Sequence, residues 1–120
     1  MARIGLVAHD DKKDELVTWC KAHRRLLGKH ELWATGTSGS RVMEGAGLKV
    51  TLLLSGPLGG DAQLGAMIAE GRLDVLIFFQ DPLTAMPHDV DIKSLTRLAT
   101  LYDILFAPNR RTADAVLASI

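Results

Sequence analysis

Short apolar runs alternate with longer amphipathic stretches along the whole chain. Ile4–Ala8 reads as a first strand. Leu16, Trp19, Cys20, His23, Leu26 and Leu27 then recur at helical spacing, with Lys12, Lys13, Lys21, Arg24 and Arg25 largely on the other side, so a helix is expected up to a stop at Gly28. A second strand covers roughly Glu31 to Ala34. The turn Thr35-Gly36-Thr37-Ser38-Gly39 leads from it into a helix ending near Gly45 or Gly47. Lys49–Leu54 is strand three, and Gly59-Gly60-Asp61 opens a third helix, Ala62–Glu70, closed by Gly71. Val75–Phe79 is wholly apolar, as a central parallel strand covered on both faces requires. From Gln80 to Asp91 the chain turns to Pro, Asp and His and forms the longest loop. Helical spacing resumes over Ile92–Leu101, followed by a fifth strand, Ile104–Ala107, and a last helix, Thr112–Ser119.

Strand and helix thus alternate five times with no repeat, linker or low-complexity segment. The pattern predicts an α/β fold: a three-layer, doubly wound, five-stranded parallel sheet of the flavodoxin-like kind, in one domain over residues 1–120. Right-handed crossovers around a central first strand favour the strand order 3-2-1-4-5.

A chain of 120 residues buries about two-thirds of its unfolded surface in one core. Its 48% hydrophobic and 23% charged residues are ordinary for a soluble globular protein, and 14 basic residues balance 14 acidic ones. Neither nucleic acid nor an anionic membrane is therefore an expected partner. Cys20 is the only cysteine, so no internal disulfide can form and a reducing compartment is expected. On the helix pattern it faces the core as an inert thiol. The first residues carry no signal-peptide pattern and no run reaches membrane-spanning length, which places the protein in the cytoplasm.

In an open parallel sheet the loops after the strands gather at one edge, where they line a crevice. Four such loops are polar here: Ala8-His9-Asp10, the Thr35–Gly39 turn, Leu54–Asp61 and Gln80-Asp81-Pro82. Thr35, Gly36, Thr37, Ser38, Gly39, Ser55 and Gly56 suit a phosphate, since hydroxyls and helix-terminal N–H groups donate to anions and glycine admits close approach. Lys13 adds a cation at the same edge. His9, Asp10, Asp61, Asp81, His88 and Asp91 supply groups that move protons. Together they predict acid/base chemistry on a small phosphorylated molecule.

Each element also has a plainer structural reading. Thr and Ser cap helices routinely, Asp61 and Asp10 sit where a capping carboxylate would, and Asp81-Pro82 suits a turn. Lys13 fits a solvated helix position, and His88, Asp89 and Asp91 a solvated loop. The Thr35–Gly39 turn lacks the spacing and lysine of a P-loop. What favours the site is that all of these residues fall at one sheet edge. Several carboxylates beside a phosphate imply coupled ionisation there. No histidine pair has the spacing of a helix-borne metal motif and no second cysteine is present, so no metal is expected.

Five segments in order resemble the methylglyoxal synthase family: Leu6–Asp10, Ala34–Gly39, Leu54–Asp61, Asp74–Pro82 and Pro87–Asp91. The resemblance implies conversion of dihydroxyacetone phosphate to methylglyoxal and inorganic phosphate without metal or organic cofactor. It gives Asp61 the role of base at the hydroxymethyl carbon and His88 that of polarising the carbonyl. His9, Asp10, Asp81 and Asp91 would orient substrate and shuttle protons, while Lys13, Thr35, Gly36, Thr37, Ser38, Ser55 and Gly56 would hold the phosphate. It further implies a homohexamer inhibited by phosphate, with Arg97 as a contact between subunits. Departures from the family pattern are Ser38 for a frequent threonine, Gln80 for an aromatic, Val90 for a proline, and the stretch Pro108-Asn109-Arg110-Arg111. The sequence ends at Ile120, and contacts that a longer tail supplies in some relatives are expected to be missing or replaced. The alternative is a non-catalytic regulatory domain that binds a small phosphorylated effector. Such a module needs the hydroxyl turns but not His9, Asp10, Asp61 and His88 together. A third outcome, isomerisation of a triose phosphate, differs only in the fate of the enediolate.

Overall fold

The computed structural model describes residues 1–83 and 89–120, without the side chains of residues 89–92. Its strands are β1 (Arg3–Ala8), β2 (Glu31–Thr35), β3 (Thr51–Leu53), β4 (Val75–Phe79) and β5 (Leu105–Ala107). They form one parallel sheet in the order β3-β2-β1-β4-β5, the order expected from the sequence. β1 lies at the centre, with Ile4 opposite both Leu32 and Val75 and Leu6 opposite both Ala34 and Ile77.

Successive side chains on a strand point to opposite faces, and the two cores divide accordingly. Helices α1 (Lys13–Ala22), α3 (Gly36–Ala46) and α6 (Arg110–Ser119) cover one face, where Leu16, Trp19, Val42 and Leu117 meet Leu6, Ile77 and Phe79. Helices α4 (Gly60–Ala69) and α5 (Asp89–Leu101) cover the other, where Leu64, Met67, Ile68 and Leu95 meet Val7, Leu76 and Phe78. At the amino ends of the strands, the Arg3 guanidinium grips Asp74 through Nη2–Oδ1 at 3.0 Å and Nε–Oδ2 at 3.1 Å, and the Arg3 N–H donates to Oδ2 at 2.8 Å. These bonds to Arg3 hold the Asp74 carboxyl below the usual carboxylate range. At the same end the Ala2 N–H donates to His30 Nδ1 at 2.8 Å. Among the described residues no helix is long and apolar enough to cross a membrane.

Several boundaries differ from the periodicity, each for a local reason. The first helix breaks at His23 (φ −111°, ψ 20°), leaving α2 as the short Arg24–Leu27 segment. His23 does not enter the core. Its ring lies against Trp19 and its Nε2 is 3.2 Å from Asp114 Oδ1 on α6, while Leu27 is buried and Leu26 remains 44% exposed. β3 is shorter than its apolar run because only Thr51, Leu52 and Leu53 find partners on β2. Helices α3, α4, α5 and α6 begin earlier than the apolar spacing indicates, since that spacing marks buried turns and misses polar first turns. In α6 that first turn is fixed by Asn109, whose Oδ1 accepts the Thr112 N–H at 2.9 Å.

Candidate active site

At the carboxyl edge of the sheet a cavity of about 230 Å³ opens between the loops that follow β1, β2 and β3. His9, Asp10, Lys13, Thr35, Thr37, Ser38, Ser55, Gly56 and Asp61 line it, as do Val7, Ala8, Pro57 and Phe78. Nine of the residues selected from sequence thus share one space although they are spread from His9 to Asp61.

His9 extends the β1–β4 ladder by one bond, its N–H donating to Phe79 O at 3.1 Å, and its side chain is buried at 7% exposure. Nδ1 accepts the Asp81 N–H at 2.7 Å. A main-chain N–H can only donate, so Nδ1 bears no proton and the neutral ring carries its hydrogen on Nε2. Phe78 meets the ring edge-on at 5.1 Å and 82°, which fixes its plane. Asp10 is the first residue of a 3₁₀ turn, Asp10–Lys12, whose capping position is held by His9. The Asp10 Oδ1 accepts from Lys13 Nζ at 2.5 Å, with the lysine side chain tucked inward at 11% exposure and the carboxylate at the rim at 86%.

Thr35 is the N-cap residue of α3 with extended backbone, yet its hydroxyl makes no capping hydrogen bond. Thr35 and Ser38 are both buried, at 4% and 2% exposure. The plain capping role is therefore not what Thr35 performs. Gly36 does not line the cavity: its N–H donates to Leu54 O at 3.2 Å, and a Cβ there would sit 3.3 Å from Leu53 O and Ser55 N. That glycine joins the second and third loops.

After β3, residues Gly56–Leu58 make a 3₁₀ turn and α4 starts at Gly60. The two glycines do different things. Gly59 is the cap, in the left-handed region at φ 114°, whereas a Cβ on Gly60 would lie 2.0 Å from Leu54 O and 2.9 Å from Thr35 Cγ2. Asp61 is consequently the second residue of the helix rather than its cap, and it is buried at 3% exposure. Gly56 lies alongside it, and a Cβ there would be 3.4 Å from both carboxylate oxygens.

Asp81 does not line the cavity. Besides its N–H bond to His9, its Oδ1 accepts the Leu83 N–H at 3.0 Å, which closes a turn after β4. His88 lies outside the described residues. Asp91 falls within α5, and its side chain likewise lies outside the description. Pro57 and Phe78, not selected from sequence, form apolar wall. Phe78 was legible only as a strand residue, and its position next to the strand end was the available signal. Cys20 is buried on the sheet side of α1, away from the cavity, and burial pushes its thiol up to about 12.

Residues 15–107 match the family model described as the MGS-like domain. The chain belongs to the methylglyoxal synthase family. It is 56% identical over 117 residues to a methylglyoxal synthase of Leptospira interrogans, a match covering 98% of this chain and 79% of that protein. It is 58% identical over 115 residues to one from Agrobacterium fabrum, covering 95% and 91% of the two chains. The crystal structure of methylglyoxal synthase from Elizabethkingia anophelis superposes with a TM-score of 0.93 at 49% identity, over 98% of this chain and 77% of that one. Like these relatives, the chain is an enzyme of the methylglyoxal synthase family. The model match omits β1, His9, Asp10 and Lys13, but the full-length relatives extend over 98% of this chain.

Proposed function

We propose that the cavity binds dihydroxyacetone phosphate and converts it to methylglyoxal and inorganic phosphate. The observation that carries this reading is the buried Asp61 carboxylate, 3% exposed, sharing one cavity of about 230 Å³ with the hydroxyls of Thr35, Thr37, Ser38 and Ser55 and with Lys13. A base and an anion grip in a cavity of that size suit a phosphorylated triose.

In this reading Asp61 takes a proton from the hydroxymethyl carbon while the carbonyl oxygen gathers negative charge. Donors must meet that charge as it develops, and His9, which lines the cavity and carries its proton on Nε2, is proposed as one such donor. His88 is the other group proposed for this part. The enediolate then expels phosphate as its C–O bond breaks, and the resulting enol takes a proton at the former phosphate-bearing carbon to give the methyl ketone. Atoms balance: the triose phosphate becomes dicarbonyl plus inorganic phosphate, with no redox change. Phosphate leaves readily when its C–O bond stands across the enediolate plane. Thr35, Thr37, Ser38 and Ser55 hold the anion there, with Lys13 partly neutralising it. Gly36 contributes by joining the loops, Gly56 by leaving room beside Asp61, and Asp10, Asp81 and Asp91 by supporting orientation and proton traffic.

Residues 1–120 act as one catalytic domain that uses no cofactor. Inorganic phosphate, as product, competes for the same grip. A homohexamer is proposed, supported by Leu52, Leu54 and Leu58 standing 47%, 52% and 73% exposed about edge strand β3, with Arg97 as a contact. The cytoplasm is its proposed location, because a doubly charged triose phosphate does not cross membranes unaided. The test is incubation of the purified enzyme with dihydroxyacetone phosphate. Equal amounts of free phosphate and dicarbonyl are expected. Glyceraldehyde phosphate without phosphate release would make the enzyme an isomerase, and saturable binding without turnover would make this a regulatory module.

A further inference from the structure

The side-chain amide of Gln63 accepts the Leu54 N–H through Oε1 at 2.8 Å. Because a main-chain N–H only donates, the amide orientation is settled by that bond. Leu54 is the junction of the two hydroxyl loops. Its carbonyl takes the Gly36 N–H at 3.2 Å, at the start of the helix that carries Thr37 and Ser38, and Ser55 follows it directly. The Ser55 carbonyl in turn receives the N–H groups of Leu58 and Gly60 at 3.0 Å, which closes the loop back onto α4. Gln63 stands in the first turns of that same helix, two positions beyond Asp61.

We infer that Gln63 is a positioning residue, fixing the distance between the Asp61 carboxylate and the hydroxyl grip that holds the phosphate. The inference rests on the reading of this cavity given above. Asp61 belongs to α4, whereas Thr37 and Ser38 belong to the start of α3 and Ser55 to the loop after β3, the last two segments being joined at Leu54. The Gln63 amide is the side-chain link between the helix and that junction. Without it, the Gly60 N–H bond to Ser55 O and the packing of Gly60 against Leu54 O still join the segments, but the Leu54 N–H loses its acceptor and the junction loses its side-chain anchor on α4. A misplacement of about 1 Å between reacting groups costs on the order of 10²-fold in rate.

The experiment compares wild type with Gln63→Leu, Gln63→Asn and Gln63→Glu. Leucine keeps the bulk without an acceptor, asparagine keeps an acceptor that is one methylene too short, and glutamate keeps the acceptor in reach. For Gln63→Leu and Gln63→Asn, kcat is expected to fall about tenfold or more and the dissociation constant of inorganic phosphate to rise by about tenfold, a shift of the size a lost hydrogen bond to a defined group produces. Gln63→Glu is expected to recover both to within about threefold of wild type. Thermal unfolding by circular dichroism keeps folding separate: a fold defect alone lowers the active fraction without moving the phosphate dissociation constant or the KM. Wild-type values of kcat and phosphate affinity in both folded Leu and Asn variants, or equal loss in Gln63→Glu, would overturn the inference. If wild type releases no phosphate from dihydroxyacetone phosphate, it is the functional reading that fails. The phosphate titration of the variants still decides the role of Gln63, because the grip is measured without turnover.

Discussion

The main-chain N–H of Asp81 donates to Nδ1 of His9 at 2.7 Å, a bond between residues 72 positions apart that leaves the imidazole proton of this cavity-lining residue on Nε2. In the neutral protein, ¹⁵N spectra are expected to show the His9 proton on Nε2, and a proton on Nδ1 would contradict the arrangement. Replacing His9 by Phe keeps a ring but strands the Asp81 N–H. The expected result is a fall in kcat/KM of about 10²–10⁴ together with a stability loss of about 1–3 kcal/mol, read from phosphate release and from denaturant midpoints.

Asp61→Asn keeps the shape of the buried side chain and removes its basicity. Phosphate release from dihydroxyacetone phosphate is expected to fall by about 10²–10⁴ or more, while the folded structure and binding of inorganic phosphate persist. Normal release by the Asn variant would remove Asp61 from the role of base.

Gly60 and Gly71 separate two reasons for glycine. A Cβ at Gly60 would collide with Leu54 O at 2.0 Å, so Gly60→Ala is expected to destabilise by at least about 2 kcal/mol and to disturb the cavity. At Gly71, φ is 72° and nothing lies within 4 Å, so Gly71→Ala meets only left-handed strain of about 1–2 kcal/mol and leaves activity alone. Equal effects of the two substitutions on activity would contradict this.

Acid should weaken the fold in two separable stages. Burial, then the nearby N-terminus and Lys29, hold His30 below its ordinary 6.5. A histidine harder to protonate when folded contributes fully above that value, and the contribution disappears as pH falls through the lower folded value. Asp74 sits below its ordinary 3.8, chiefly through its bond from Arg3, so its contribution is present above that value and is lost on further acidification. Denaturant midpoints measured from about pH 8 to about pH 3 are expected to decline in these two limbs. His30→Gln should flatten the upper limb and Asp74→Asn the lower, and a profile unchanged in both variants would rule the assignment out.

The Cys20 thiol, raised to about 12 by burial, should resist alkylation in the native protein and react once the chain unfolds. Iodoacetamide labelling followed by mass spectrometry measures this. Fast labelling of the folded enzyme would mean that the α1–sheet contact opens readily.

Much of this architecture was legible because burial leaves periodic traces. Val75–Phe79 reads as a central strand from its unbroken apolar run, and right-handed crossovers around a central first strand favour the order β3-β2-β1-β4-β5 that the sheet adopts. The loops bearing His9, Thr35, Ser55 and Asp61 were legible for the same reason, since strand ends locate them. What depends on a single backbone atom was not. No pattern distinguishes Asp61 as a cap from Asp61 as a second helical residue until Gly59 takes φ 114°. Gln63 looks like any exposed helix glutamine, because its partner is the N–H of a residue nine positions earlier. His23 fits the apolar stripe by spacing and leaves it because Asp114 on α6, far along the chain, draws its ring outward. Polar first turns of helices carry no hydrophobic signal at all.

The register of β1 against β4, Ile4 opposite Val75 through Ala8 opposite Phe79, also sets when this enzyme can acquire its chemistry. During synthesis, a chain that has left the ribosome only as far as residue 70 already holds Thr35, Thr37, Ser38, Ser55 and Asp61 of the cavity lining. It has no Phe78 to meet the His9 ring edge-on and no Asp81 to orient it. Closing so long a loop is slow relative to local helix formation. A chain that ends before β4 therefore lacks the two residues that fix the plane and the proton of the His9 ring, and on the proposed reading competence cannot precede the fourth strand.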